Sequence, residues 1–252
     1  MTVTARYPFF DAHFHVIDPR FPLFENNGYT PEAFTVTQYR ARTAGLGVVG
    51  GAVVSGSFQR FDQGYLVDAL DRLGPGFVGV TQIPHDMPDA EIVALAQRGV
   101  RGVRFNLRRG GSADLGHLDG LARRVHDLAG MHVELYVDAR ELADLSDTLA
   151  ALPRVSIDHL GLHADGLPYL LALVERGVRV KATGFGRVDL DVADTIRAIL
   201  DVDPTALMTG TDLPSTRARR PFADSDLDVI AQAAQGHLPA VLHDNAAAFY
   251  RL

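Results

Sequence analysis

The chain has 252 residues, of which 47% are hydrophobic and 22% are charged, a composition that disfavours disorder and a coiled coil. Its formal net charge of −7 argues against general binding to nucleic acid or to an anionic membrane, so we expect small-molecule partners. The chain contains no cysteine, which excludes disulfides, thiolate zinc sites and cysteine nucleophiles and leaves histidine and carboxylate as the protein metal ligands.

The first predicted strand, Phe9–His15, carries two histidines separated by one residue. Strict alternation divides its side chains between two faces: Asp11, His13 and His15 on one, Phe10, Ala12 and Phe14 on the other. Imidazole serves both as a metal ligand and as an acid or base near neutral pH. The pair therefore predicts the start of a metal or catalytic site, although two buried structural histidines would have the same spacing.

The segment from Asp18 to Tyr39 is rich in proline, asparagine and glycine. These residues favour turns, and a long irregular segment in a compact domain is often functional. We expect a loop that forms a lid or rim over the site, followed by a short helix through residues 40–42.

Seven further apolar runs have the length and composition of buried parallel strands. They are Val48–Ser57, Phe77–Pro84, Val100–Leu107, His132–Asp138, Arg154–Gly161, Arg179–Phe185 and Ala206–Pro214. Helical periodicity is found in other segments: Phe61–Leu73, Asp89–Arg98, Leu118–Leu128, Glu141–Leu152, Leu167–Arg176, Val192–Leu200, Leu227–Ala234 and Asn245–Tyr250. Eight βα units over residues 1–252 predict an α/β fold, a single (β/α)8 TIM-barrel domain with a long loop after strand 1.

Catalytic groups of such barrels gather at the C-terminal strand ends, so alternation on the middle strands selects the candidates. On strand four the inward set includes Arg104, with Arg108 just beyond the strand. On strand five it comprises Glu134, Tyr136 and Asp138. An inward arginine requires an anion, and the tyrosine could donate a hydrogen bond at the mouth of the barrel.

Strands six and seven add further polar candidates. Asp158 and His159 have opposite parity on strand six, so only one is expected to face the lumen, and we assign His159 to it. Strand seven offers Lys181 and Thr183 on one face, and Arg187 lies in the following loop.

Strand eight ends in Gly-Thr-Asp-Leu-Pro, which places Asp212 after the last strand. In a closed barrel the last strand lies beside the first, so Asp212 is expected near His13 and His15. Alone, Asp212 could be a turn residue before Pro214. The convergence of these three residues favours a functional site.

The chain resembles the amidohydrolase superfamily in five segments: Asp-x-His-x-His at 11–15, the arginine-bearing strand four, Ile-Asp-His-Leu-Gly at 157–161, Gly-Thr-Asp-x-Pro at 210–214 and Asp-Asn-Ala-x-x-x-Tyr at 244–250. The resemblance covers essentially the whole chain and is strongest to a small branch rich in lactonases. It implies four catalytic residues, namely Asp212, His13, His15 and His159. It implies substrate contacts from Arg104, Arg108, Tyr136, Ser55, Ser57 and Arg187.

The same resemblance leaves the cofactor open. Binuclear members bridge two metals with a strand-four lysine, and many have a strand-five histidine; Arg104 and Tyr136 occupy those regions in this chain. One divalent ion, zinc or manganese, on His13, His15 and Asp212 is one alternative. The lactonase-rich branch also includes enzymes that work without metal, so no required cofactor is the other alternative.

Three functions are consistent with these residues. The first is hydrolysis of a carboxylate-bearing lactone by water that Asp212 activates, with the histidines stabilising the oxyanion and the arginines holding the substrate. The second is a mononuclear metal-dependent decarboxylase or carbon–carbon hydrolase of an unsaturated acid, and the third is a non-catalytic carboxylate-binding barrel. The resemblance implies an arginine three residues after the strand-six histidine; Leu162 stands there, so the same dicarboxylate substrate is not expected.

The N-terminal positions 1–6 lack the apolar core of a signal peptide, and no apolar run is long enough to span a bilayer. We therefore expect a cytoplasmic protein with no membrane partner. A homo-oligomer is a generic possibility for a soluble enzyme.

Overall fold

The computed structural model describes residues 6–252. Positions 1–5, on which the predicted lack of a leader largely depends, lie outside the described residues. Among residues 6–252, no helix is both long enough and apolar enough to cross a membrane.

Eight parallel strands form one sheet in the order of the chain, and the sheet curves into a nearly closed barrel. The strands are β1 (Phe9–Phe14), β2 (Val48–Val54), β3 (Phe77–Thr81), β4 (Val100–Asn106), β5 (His132–Tyr136), β6 (Val155–Ile157), β7 (Arg179–Ala182) and β8 (Leu207–Thr209). Asp212 N donates to the His13 carbonyl and His15 N to the Leu213 carbonyl, both at 2.7 Å. These bonds join the first strand to the segment after the last, so the predicted TIM barrel is confirmed.

The helices surround the barrel and bury their apolar faces against it. They are α1 (Val36–Thr43), α2 (Gly64–Leu73), α3 (Asp89–Gln97), α4 (Leu118–Ala129), α5 (Leu142–Ala151), α6 (Leu167–Glu175), α7 (Val192–Val202), α8 (Ser225–Ala234) and α9 (Asn245–Tyr250). The last helix places Tyr250 in the barrel interior, where its ring stacks on Phe10 with a centroid separation of 5.5 Å. This apolar plug fills one end of the barrel and leaves the C-terminal strand ends for polar groups.

All eight predicted strands extend beyond the ends of the observed ones, and strands six and eight do so by the most. β6 ends at Ile157 and β8 ends at Thr209. The residues that follow turn away from strand geometry, with φ of 52° at His159 and 59° at Asp212. Strand alternation therefore does not apply to them.

The predicted loop after β1 also needs correction, because α1 begins at Val36 instead of near Arg40. Thr35 N donates to the Gln38 side-chain oxygen at 2.8 Å, and Gln38 N donates to the Thr35 hydroxyl at 3.4 Å. This capping box satisfies two backbone donors at the start of the helix. The Thr-x-x-Gln spacing is a helix-start signal that the turn-rich composition of the segment obscured.

The face assignment on β1 is wrong for Phe10, Asp11 and Ala12, because the strand contains a bulge. Asp11 pairs with Gly51 and Phe14 pairs with Val53, so three steps along β1 match two along β2. Asp11 consequently turns outward, where its carboxylate accepts a hydrogen bond from Tyr39, and the outward Phe14 ring stacks on the same tyrosine. The interruption allows Phe10 and Ala12, with the two histidines, to face the barrel interior.

Candidate active site

Four predicted side chains meet at the C-terminal end of the barrel. The Asp212 Oδ1 atom lies 3.7 Å from His15 Nε2, 3.9 Å from His13 Nε2 and 4.0 Å from His159 Nε2. All four residues are almost completely buried. The structure therefore brings the predicted catalytic set together around one carboxylate oxygen.

The environment of Asp212 keeps it ionised. Its Oδ2 atom accepts a hydrogen bond from Arg187 Nε at 2.6 Å. Burial alone would raise the pKa of Asp212, but the Arg187 guanidinium and the neighbouring imidazoles outweigh burial and hold the pKa well below its usual value. Oδ1 has no hydrogen-bond partner among the described residues, so it remains free to act on a ligand.

The protonation of two histidines is constrained by their other ring nitrogen. His15 Nδ1 lies 2.7 Å from the Val54 carbonyl oxygen, which can only accept, so Nδ1 carries a proton. His159 Nδ1 is hydrogen-bonded to the Thr183 hydroxyl at 2.7 Å. Burial lowers the pKa of His159 to about 4, which makes this ring neutral at physiological pH.

A buried charge cluster lies beneath the four residues and supports His13. The cluster consists of Arg104, Glu134, Asp158 and Lys181, and His13 Nδ1 lies 3.3 Å from Asp158 Oδ1 and 3.6 Å from Glu134 Oε1. Arg104 donates to Asp158 Oδ2 at 2.6 Å, and Lys181 donates to Glu134. Two cations thus balance two carboxylates inside the barrel.

This cluster corrects the prediction that only one of Asp158 and His159 faces the lumen. Both side chains do, because β6 ends before them and His159 has a left-handed backbone. Asp138 was predicted to belong to the inward set of strand five. It lies beyond the end of β5, where its carboxylate accepts a hydrogen bond from Arg140 N at 3.1 Å.

The predicted substrate residues occupy different surroundings. A small inner cavity of about 30 Å³ lies next to His15 and His159. Its lining includes Ser57, Tyr136, Arg104 and Arg187. The Ser55 hydroxyl instead bonds to Tyr65 and Thr81, away from the cavity. Arg108 is 45% exposed and lines a second, outer chamber of about 210 Å³. The structure therefore groups four of the six predicted substrate residues at the inner cavity.

Two arginines that sequence reasoning missed line both cavities: Arg109 and Arg217. The adjacent Arg108-Arg109 pair after β4 and the arginine-rich stretch 217–220 after β8 were the available signals. The loop after β1 connects the two segments that carry these arginines. Asn26 Nδ2 donates to the Arg109 carbonyl at 3.0 Å, and Arg217 donates to Asn26 Oδ1 at 3.0 Å. This position fits the predicted rim.

Two overlapping groups of side chains have ligand atoms close enough to hold a metal ion. His13, His159 and Asp212 form one group, in which the ligand atoms lie within 4.8 Å of one another. The other group combines His13 with Glu134 and Asp158, but Lys181 and Arg104 already neutralise its carboxylates. Both groups contain buried ligand atoms without hydrogen-bond partners among the described residues, such as Asp212 Oδ1 in the first and Asp158 Oδ1 in the second. The first group is the one that adjoins the inner cavity, because His159 lines that cavity.

Comparisons with known proteins converge on one family. The model of the amidohydrolase family matches residues 10–252. The chain is 36% identical over 156 residues to a 2-pyrone-4,6-dicarboxylate hydrolase from Comamonas testosteroni, a match that covers 60% of this chain but only 51% of that protein. It is 30% identical over 228 residues to a 4-sulfomuconolactone hydrolase from Rhizobium radiobacter, covering 81% of this chain and 75% of the relative.

Solved structures agree on the fold. A protein described as a probable 2-pyrone-4,6-dicarboxylic acid hydrolase from Acinetobacter baumannii superposes with a TM-score of 0.84. The two chains are 22% identical, and the superposition covers 97% of this chain and 99% of the other. This similarity supports the barrel architecture from end to end.

Proposed function

The chain belongs to the amidohydrolase family, and from that premise we propose that it hydrolyses an anionic lactone with Asp212 as the general base. The single observation that carries the proposal is the free Asp212 Oδ1 atom among three imidazoles. The names of two relatives, both lactone hydrolases, support the choice of bond.

In the proposed reaction, Asp212 takes a proton from water while the water oxygen forms a bond to the lactone carbonyl carbon. Collapse of the tetrahedral intermediate then breaks the bond between that carbon and the ring oxygen. Asp212 returns its proton to the departing oxygen, which yields an open-chain hydroxy acid. Arg187 holds the Asp212 carboxylate in place throughout, because its Nε atom donates to Oδ2.

We assign one divalent ion to this site, with His13, His159 and Asp212 as its protein ligands. The main support is that His13 Nε2 and Asp212 Oδ1 lie 3.9 Å apart, are buried and have no hydrogen-bond partner among the described residues, an arrangement that a nearby cation would stabilise. Zinc and manganese both suit imidazole and carboxylate ligands. Such an ion, when bound, supplies a Lewis acid that polarises the carbonyl and lowers the pKa of water.

Removal of metal is therefore expected to abolish most of the hydrolytic activity and to lower the thermal unfolding temperature, because a bound ion stabilises only the folded state. Elemental analysis of the purified protein, with activity on a panel of small carboxylated lactones before and after chelation, checks this prediction. A His159→Gln variant should lose the stabilisation by added Zn²⁺. Metal-free protein with chelator-resistant hydrolysis would contradict the metal assignment and leave Asp212 as a direct base.

The proposed anion-binding residues are Arg109 and Arg217 instead of Arg104. Arg104 and Arg187 already bond to buried carboxylates, whereas no carboxylate lies against the side chains of Arg109 and Arg217 among the described residues. Burial, followed by the charge of Arg109, lowers the pKa of Arg217. Arg109 and Arg217 line the same two cavities and have no carboxylate counter-ion among the described residues, which favours an anionic ligand beside them. The fork geometry of a guanidinium group suits a carboxylate or sulfonate.

An Arg217→Met variant is expected to raise KM for a carboxylated lactone by about tenfold or more with little change in kcat, since one charge-assisted hydrogen bond contributes about 1.5–3 kcal/mol. Steady-state kinetics measure this split. Arg220→Met is the matched control, because Arg220 lies in the same stretch as Arg217, pairs with Asp226 at 2.7 Å and lines neither cavity, so it should leave KM unchanged. Equal effects of the two substitutions would argue against a specific role for Arg217.

A further inference from the structure

The outer chamber has two chemically different walls. Its volume of about 210 Å³ is several times that of the inner cavity, and the two spaces share Arg109, Tyr136, Arg187 and Arg217 as lining residues. The inner cavity, at about 30 Å³, is the smaller of the two and the nearer to His15 and His159. We therefore expect a substrate whose carbonyl reaches Asp212 to extend into the outer chamber.

One wall of the outer chamber is apolar. Tyr136 and Leu162 line the chamber and form a small cluster with Val188, separate from the main core of the barrel. Arginines dominate the remaining lining, so this wall is the exception in a strongly basic space. A cationic chamber suited only to a polyanion would not require a hydrocarbon surface, and an apolar surface in a pocket typically binds an apolar part of a ligand.

The backbone holds Leu162 at this wall in an unfavourable conformation. Its φ of 72° is uncommon for any residue with a bulky side chain. Asp189 N donates to the Leu162 carbonyl at 2.7 Å, and Ala164 N donates to the Asp189 carbonyl at 3.1 Å, so two loops fix the position. A strained residue that its surroundings hold in place at a cavity is a candidate for a role in ligand binding.

We propose that the outer chamber binds a hydrocarbon substituent of the substrate against Leu162, while the anionic group of the same molecule pairs with Arg109 and Arg217. The inference rests on the proposed lactone hydrolysis and makes it more specific. The substrate class becomes an amphipathic lactone that carries one anionic group and one apolar arm. Leu162 is then the residue that determines specificity for the arm.

Two probes test the proposal: a carboxylated butenolide and its butyl-substituted homologue, each assayed with the metal-supplemented full chain. We expect the wild type to prefer the butyl compound by about tenfold or more in kcat/KM, a typical contribution of hydrocarbon contacts in a pocket. Leu162→Ala should remove most of this preference, measured as the ratio of kcat/KM for the two probes. Leu115→Ala, which shortens an exposed leucine outside both cavities, should leave the preference intact.

A Leu162→Gly variant shows whether any effect of the alanine substitution comes from misfolding. Glycine also removes the side chain, but it adopts positive φ without strain. Its thermal unfolding should match or exceed that of the alanine variant, and it should lose the same preference. Hydrolysis of both probes at equal rates by the wild type and the variants would overturn the apolar subsite while leaving lactone hydrolysis standing. Hydrolysis of neither probe would overturn the proposed function and the subsite with it.

Discussion

Replacement of Asp212 by asparagine is expected to lower kcat by about 10²–10⁴-fold, the usual contribution of a general base. The substitution preserves the shape of the side chain, but it removes the carboxylate that takes the proton from water. The pKa of Asp212 is held well below its usual value, mainly by Arg187 and the imidazoles against the effect of burial, so the base is ionised throughout the neutral range. Steady-state kinetics with a carboxylated lactone, together with ligand-induced thermal shifts, separate turnover from binding.

Asp189→Asn is the matched control for this variant, because the Asp189 carboxylate is exposed and pairs with Arg219 at the mouth. It should retain near wild-type kcat. If Asp212→Asn kept its fold and lost substrate binding instead of turnover, the role of Asp212 as a base would be wrong.

Replacement of Arg104 by methionine is expected to destabilise the fold by about 3–5 kcal/mol, the range for removing one partner of a buried ion pair. Arg104 donates to Asp158 Oδ2 at 2.6 Å and to the Ser55 carbonyl at 2.8 Å, and its Nε atom lies 3.7 Å from Glu134. Without it, Lys181 alone would face two buried carboxylates. The shift of the unfolding midpoint in urea measures the loss of stability.

Arg108→Met provides the comparison, since Arg108 is half exposed and its nearest carboxylate oxygen is 4.0 Å away. An exposed change of this kind typically alters stability by less than about 0.5 kcal/mol. A normal unfolding midpoint for Arg104→Met, combined with a KM raised tenfold or more, would instead restore Arg104 to the substrate-binding role that the sequence predicted.

The architecture could be predicted from the sequence because it depends on local periodicity. Eight apolar runs alternate with amphipathic segments, and the order of the strands in the barrel follows the order in the chain. The same topology predicts that Asp212 lies beside His13 and His15. The position of these residues at neighbouring strand ends was enough to predict their meeting.

The errors arose where the backbone leaves regular geometry. The β1 bulge turned Asp11 outward, and the positive φ of His159 brought two consecutive side chains into the barrel. Such features depend on tertiary packing, and alternation cannot predict them. Buried ion pairs could not be predicted either, because the sequence carries no sign that Arg104 bonds to Asp158. The roles of Arg109 and Arg217 depend on loops that only the folded chain brings together.

The proposed lactone hydrolysis is tested by one assay, in which the wild-type chain, supplemented with Zn²⁺ or Mn²⁺, is given a carboxylated lactone. A pH-stat follows proton release, and mass spectrometry identifies the product. We expect saturable turnover with one proton released per ring opened and a product heavier by one water. A lactone that binds without being opened, or a product formed with release of carbon dioxide, would contradict it, and the latter would favour a decarboxylase.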